Sequence, residues 1–155
     1  MPAEDDLVRD VAAAFGEGGW DGALARVLER FAADSGTIHL LKEDGVLHLV
    51  AASAGIPAVV VETVRLVPVG KGMAGLAVER RQPVNACNIQ TDTSGDVRPG
   101  ARATGLLGSI VVPLLRGGDA VGALGIANHR ERVFTDAEAE WLLAVGKALA
   151  SASHG

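Results

Sequence analysis

The spacing of apolar positions changes along the chain, and each change marks a boundary. Leu7, Val8, Val11, Ala12 and Phe15 recur at helical intervals. Beyond a glycine-rich break at residues 16–19, Leu24, Val27, Leu28 and Phe31 do the same, with Asp21 placed to cap the second run. Two amphipathic helices are expected over residues 1–33. From Thr37 the pattern becomes that of strands, residues 37–43 and 46–53 flanking Asp44-Gly45, a dipeptide suited to a two-residue hairpin turn. Such a turn pairs Glu43 with Val46 and Leu41 with His48. His39 and His48 then lie on one face, diagonal neighbours roughly 7–8 Å apart.

The middle of the chain is punctuated by glycine and proline. Residues 56–64 carry mixed signals: Val59-Val60-Val61 favours a strand, whereas Pro57 suits the first turn of a helix, and the reading inclines to the helix. Val67-Pro68-Val69 leads into Gly70-Lys71-Gly72, after which residues 73–81 read as a helix with Met73, Leu76 and Ala77 on its apolar side, stopped by Gln82-Pro83. A short strand at residues 84–86 precedes a polar stretch, 88–104, too long for a plain connector. Residues 106–115 and 120–127 form a second hairpin around Gly117-Gly118, and a helix over 136–151 carries Trp141, Leu142, Val145 and Leu149. Thr135-Asp136-Ala137-Glu138 has the form of a capping box at its start.

In the second hairpin Ile110, Val112 and Leu114 point one way and Val111, Pro113 and Leu115 the other, so both faces of that sheet are apolar and both need cover. The helices at the chain ends are expected on one face, and the middle helices with the 88–104 stretch on the other. The fold class is therefore α+β, a central antiparallel sheet of five or six strands with helices on both faces. All 155 residues are read as one domain: N-terminal helices at 1–33, sheet, middle helices and pocket loop at 36–127, C-terminal helix at 135–152.

Composition narrows the function classes. Aromatic residues are 3% of the chain and tyrosine is absent, so stacking surfaces for bases are not expected. The formal net charge is −5 with no block of lysine or arginine, which argues against direct nucleic-acid binding. No run of about eighteen apolar residues is present and the first residues are acidic, so no membrane span or secretory signal is read and a cytoplasmic location is expected. Cys87 is the single cysteine, which excludes an intramolecular disulfide and a thiolate metal cage; a small buried residue is its plainest role, a reactive thiol the alternative.

Several groups of residues bear on a site. Gly70, Gly72 and Gly75 have dinucleotide-fingerprint spacing, but hairpins dominate and no parallel strand-helix-strand unit surrounds them, so turn geometry is the leading role, with an anion contact at the helix start as the alternative. The polar stretch concentrates hydrogen-bonding side chains of both charge signs, among them Asn88, Asp92, Thr93, Ser94, Arg102 and Thr104, which suits either a lid over a polar ligand or a solvated loop. His39 and His48 are either pocket-lining or ordinary polar strand positions, and no third ligand supports a metal. No nucleophile here has a general base at motif spacing, so no enzyme is predicted and no catalytic residue assigned.

With these residues in view, the chain resembles a GAF domain over nearly its whole length. The likeness runs through residues 66–75 (Leu-Val-Pro-Val-Gly-Lys-Gly-Met-Ala-Gly), Gln82-Pro83-Val84-Asn85, residues 109–114 (Ser-Ile-Val-Val-Pro-Leu), residues 121–128 (Val-Gly-Ala-Leu-Gly-Ile-Ala-Asn) and Phe134. The resemblance implies a GAF/PAS-like sheet, a ligand pocket between the sheet and the middle helices and loop, homodimerisation through terminal helices, and a regulatory sensor. Cyclic-nucleotide-binding members carry an Asn-Lys, a Phe and an Asp-Glu pair. Asn128 and Phe134 match, but His129 replaces the lysine and Glu138-Ala139 the acidic pair. The free methionine sulfoxide reductase branch uses loop cysteines, where this chain has Arg102, with Cys87 just ahead of the loop. Bilin attachment would need a placed cysteine and aromatic surroundings that are not evident. With no output domain attached in the sequence, the expectation is a standalone sensor of a small polar molecule or anion, acting in trans on a separate kinase or regulator. His39, His48, Gly72, Met73, Asn88, Asp92, Thr93, Ser94, Arg102, Thr104 and Ser109 are its candidate ligand contacts, and the ligand or cofactor itself is unassigned. The alternatives are a ligand-free dimerisation scaffold and a thiol enzyme using Cys87.

Overall fold

Six strands, each antiparallel to its neighbours, form one sheet in the order β3-β2-β1-β6-β5-β4. Along the chain the elements are α1 (Pro2–Phe31), β1 (Ser35–Leu41), β2 (Val46–Ala52), α2 (Ala58–Val64), β3 (Leu66–Pro68), α3 (Gly72–Arg80), β4 (Val84–Ala86), β5 (Ser109–Arg116), β6 (Asp119–Ala127) and α4 (Asp136–His154). The computed structural model describes residues 2–86, 88–89 and 105–154.

The two N-terminal helices expected from periodicity are the two limbs of α1. Gly19 breaks the helical path with φ 64° and ψ −150°. Asp10 and Arg26 would stand about 24 Å apart on a straight helix at 1.5 Å per residue. Instead Arg26 donates to Asp10, and Arg30 bonds both Asp10, at 2.8 Å, and Asp6, at 3.2 Å. The limbs are thus folded back on each other, and Phe15 and Trp20 meet edge to face across the bend, ring centroids 4.8 Å apart.

Helices α1 and α4 cover one face of the sheet, where Leu24, Val27, Ile38, Ile110, Val112, Leu124, Ile126, Leu142, Val145 and Leu149 form the main core. Helix α3 covers part of the other face over Leu47, Val67, Val84, Val111 and Ala123. The assignment of Ile110, Val112 and Leu114 to one face and Val111 to the other is borne out. At the start of α4 the capping box closes both ways: the Glu138 amide donates to Thr135 Oγ1 at 3.1 Å and the Thr135 amide to Glu138 Oε1 at 3.0 Å.

Two local expectations give way. The first hairpin turns on three residues, because Lys42 rather than Glu43 pairs with Val46 and Gly45 takes φ +76°. That one-residue change sets Leu40 opposite His48 and His39 opposite Leu49. The two histidines therefore lie on opposite faces of the sheet, because side chains alternate along a strand. Second, Leu66–Pro68 is a strand, paired with Val46, Leu47 and His48, where the sequence pattern predicts none. The ambiguous segment around Val60 is helical, with Pro57 just before α2 and its carbonyl accepting from the amides of Val60 and Val61.

Candidate functional site

Alternation on β6 creates the floor of a cavity. Leu124 and Ile126 send their bulk into the α1/α4 core, leaving Ala123, Gly125 and Ala127 on the opposite face. Gly125 pairs with Thr37 on one side and Val111 on the other, and Ala127 with Ser35 and Ser109, so two cross-strand rows have small residues at their centres. A Cβ placed on Gly125 would sit 3.1 Å from Val111 Cγ2 and 3.8 Å from Thr37 Oγ1. Any larger side chain there would occupy the floor.

The roof comes from α2, through Val60, Thr63 and Val64, and from the start of α3, through Lys71, Gly72, Met73 and Ala74; Val67, Ile89 and Leu106 complete the wall. The cavity measures about 280 Å³. At a liquid share of roughly 30 Å³ per water, that is space for on the order of ten waters or a small organic molecule.

Its walls are mostly apolar, and their hydroxyls are largely engaged within the protein. Ser109 Oγ donates to the Ile126 carbonyl at 3.2 Å, Thr63 Oγ1 to the Val59 carbonyl at 2.8 Å, and the Ser35 and Ser53 hydroxyls share a bond of 3.2 Å. Lys71, which is exposed, is the one charged side chain among the described lining residues. Among the described residues no group of three His, Cys, Asp or Glu is placed to hold a metal, and no helix is long and apolar enough to cross a membrane.

The expected contacts divide. Gly72, Met73 and Ser109 line the cavity, although the Ser109 hydroxyl is already committed. His39 does not line it. The residue is 3% exposed and its Nε2–H donates at 2.8 Å to the carbonyl of Val64, the last residue of α2. Burial pushes this imidazole below its ordinary pKa, with the Val64 bond opposing in part. His39 is thus an anchor for the roof helix, whose one buried residue is Val60. His48, on the other face, bonds Asp44 at 2.8 Å, and that bond holds the Asp44 carboxyl below its usual range. Asn88 donates to Glu131 at 2.9 Å and is not among the lining residues. Asp92, Thr93, Ser94, Arg102, Thr104 and Cys87 lie outside the described residues, as does residue 90–104 of the expected lid. Sequence reasoning passed over Thr37, Val60, Val64 and Gly125. The legible signal was the run of small residues at every second position of β6.

The residues matching the cyclic-nucleotide motif serve another purpose. Asn128 is 2% exposed; it donates to the Ala32 carbonyl at 2.9 Å and to Asp34 at 3.2 Å, and accepts from Arg132 at 2.8 Å. The backbone N–H of His129 holds the Asp34 carboxyl well below the usual range, with Asn128 assisting. Arg132 lies 4.3 Å from the centroid of the Phe134 ring and bonds Glu138 at 2.7 Å. This network ties the end of α1 to the start of α4, and none of its members lines the cavity.

The whole arrangement has close structural counterparts. The GAF domain of an Acinetobacter phosphoenolpyruvate-protein phosphotransferase is 20% identical, with a TM-score of 0.79, covering 99% of this chain and 95% of that one. The corresponding Coxiella burnetii domain is 20% identical, with a TM-score of 0.78, and the shares are 97% and 92%. A free methionine-R-sulfoxide reductase of Neisseria meningitidis, solved with its substrate, is 17% identical with a TM-score of 0.79, covering 97% of this chain and 88% of that one. At these identities the likeness is one of fold. Comparison with curated protein sequences gives no significant match. The GAF domain family model matches residues 21–153, from just after the α1 bend almost to the end of α4. The chain belongs to the GAF domain family.

Proposed function

We propose that this domain is a regulatory sensor that binds a small molecule in the cavity between the sheet and helices α2 and α3, and that occupancy is passed to α1 and α4. The observation that carries this reading is that the cavity floor and the main core share strands. On β5, Val111 faces the cavity while Ile110 and Val112 pack in the main core, and β6 divides in the same way at Gly125 between Leu124 and Ile126. A guest that shifts the floor therefore shifts the sheet against which the terminal helices pack. It biases them only by its difference in affinity for the two arrangements.

The roof suits this role. Helix α2 has seven residues, one of them buried, and its last carbonyl is tied down through His39. Elements with so little burial open at low free-energy cost. A thermal-shift screen of the full chain against cyclic nucleotides, oxyanions, amino acids, methionine sulfoxide and small neutral aromatics tests the proposal. A specific ligand at about a hundred times its Kd should add roughly 2.7 kcal/mol of stability. Hydrogen exchange should then slow in α2 and change in α1 or α4. A ligand that protects α2 while both terminal helices stay unchanged would leave binding intact and remove the signalling step.

A further inference from the structure

The chemistry of the walls carries the reading one step further, to the class of molecule the cavity accepts; this step rests on the cavity being a binding site. A small anion held against apolar walls needs several donors directed at it, because moving an unpaired charge out of water is unfavourable. The side chains of the described walls do not supply them, and the uncapped first turn of α3 at Gly72, Met73 and Ala74 offers backbone N–H groups from one side only. Ser109 and Thr63 direct their hydroxyl protons to the carbonyls of Ile126 and Val59, Ser35 shares its bond with Ser53, and Lys71 is exposed to solvent that already hydrates it. Val60, Val64, Met73, Val111, Ile89 and Leu106 supply the rest of the contact surface. Thr37 differs. It is half-buried on the floor beside Gly125, and it is the lining hydroxyl that makes no hydrogen bond among the described residues.

We infer that the cavity takes a neutral molecule of on the order of ten non-hydrogen atoms, apolar except for one hydrogen-bonding group that meets the Thr37 hydroxyl. An apolar body gains from leaving water in proportion to its area, while a single polar group placed at Thr37 keeps its hydrogen bond on entry. Gly125 makes the room, since a side chain there would stand where the ligand's body lies.

The test uses backbone amide spectra of the full chain, titrated with two neutral probes of matched size, 4-propylphenol and n-butylbenzene, and with nitrate and inorganic phosphate. Both neutral probes should shift the amides of Thr37, Val60, Val111 and Gly125 saturably, the phenol binding about three- to tenfold more tightly. Thr37→Val should erase the phenol's advantage and leave n-butylbenzene unchanged. Gly125→Val should abolish binding of both, and Ala74→Leu, which fills the same space from the roof, gives the same readout if the floor variant fails to fold. Saturation of those amides by nitrate or phosphate, with the neutral pair silent, would overturn the ligand class and leave the sensor reading standing. Equal affinity of the two neutral probes, unmoved by Thr37→Val, would overturn the part given to Thr37 and with it the proposal. Silence of all four probes, with the filling variants simply raising the melting temperature, would overturn both readings, because the space would then be unused volume.

Discussion

Single atoms decide how closely the roof approaches the sheet. A Cβ on Gly75 would sit 2.4 Å from the Pro68 carbonyl oxygen and 3.0 Å from the Gly70 nitrogen, so backbone stands where an alanine methyl would go. Gly75→Ala is expected to destabilise the fold by about 1–3 kcal/mol, as overpacking generally does, read as a lower denaturation midpoint at unchanged m-value. The sequence shows a glycine at helix position four of α3, but not the strand whose carbonyl forbids anything larger. His39 gives a pH signature. Its folded pKa is depressed, so as pH falls through about 6.5 the unfolded chain takes up a proton that the folded chain resists. Stability present above that pH is therefore lost below it. The melting temperature should fall between pH 7.5 and 5.5, and His39→Gln should flatten that slope. Asp34 and Asp44, with folded pKa values held below the carboxylate range, lose their contributions only at lower pH. A slope unchanged by His39→Gln would show that the imidazole is not the group responsible.

At the scale of elements, the ends of helices and strands carry most of the legible information. The capping box was readable because its two residues sit at a fixed spacing and need no tertiary partner. Removing half of it by Thr135→Ala should cost about 1 kcal/mol, a drop of roughly 2–4 °C for a chain of this size. Glu138→Gln is the sharper variant: the cap amide bond can persist while the ion pair with Arg132 is lost. Turn length was harder to read. Asp44-Gly45 fits a two-residue loop, yet the Asp44 carboxylate accepts from the Val46 amide at 2.9 Å and Glu43 joins the loop. One residue of slip carried His48 to the other face; β2 stayed within a residue of its expected bounds, while β1 begins and ends two residues earlier than expected, at Ser35 and Leu41. Strand β3 escaped notice because three residues ending in proline carry no period; it exists by virtue of β2 beside it. Helix α2 fell the right way because Pro57 outweighs the preference of three consecutive valines for extended backbone.

For the molecule as a whole, the layering was legible and the cavity only partly so. Two apolar faces on the second hairpin demanded helices on both sides, and α1 with α4 and α3 with α2 supply them. The cavity, by contrast, is a difference in side-chain volume between the two faces of β6: the alternating small residues are legible in the sequence, but the room they leave is set by the partners of Gly125 across the sheet. The same strand order has another implication at the periphery. Both outermost strands, β3 and β4, are three residues long, and β3 ends in Pro68. Stubs of this kind offer an incoming chain almost no ladder to extend, a recognised defence against fibril-like growth. Replacing Pro68 with valine should remove that safeguard and make the protein more prone to clumping on prolonged incubation, measurable by light scattering, with little change in its melting temperature. Among the described residues, the margins of the sheet thus leave a second copy little backbone to pair with.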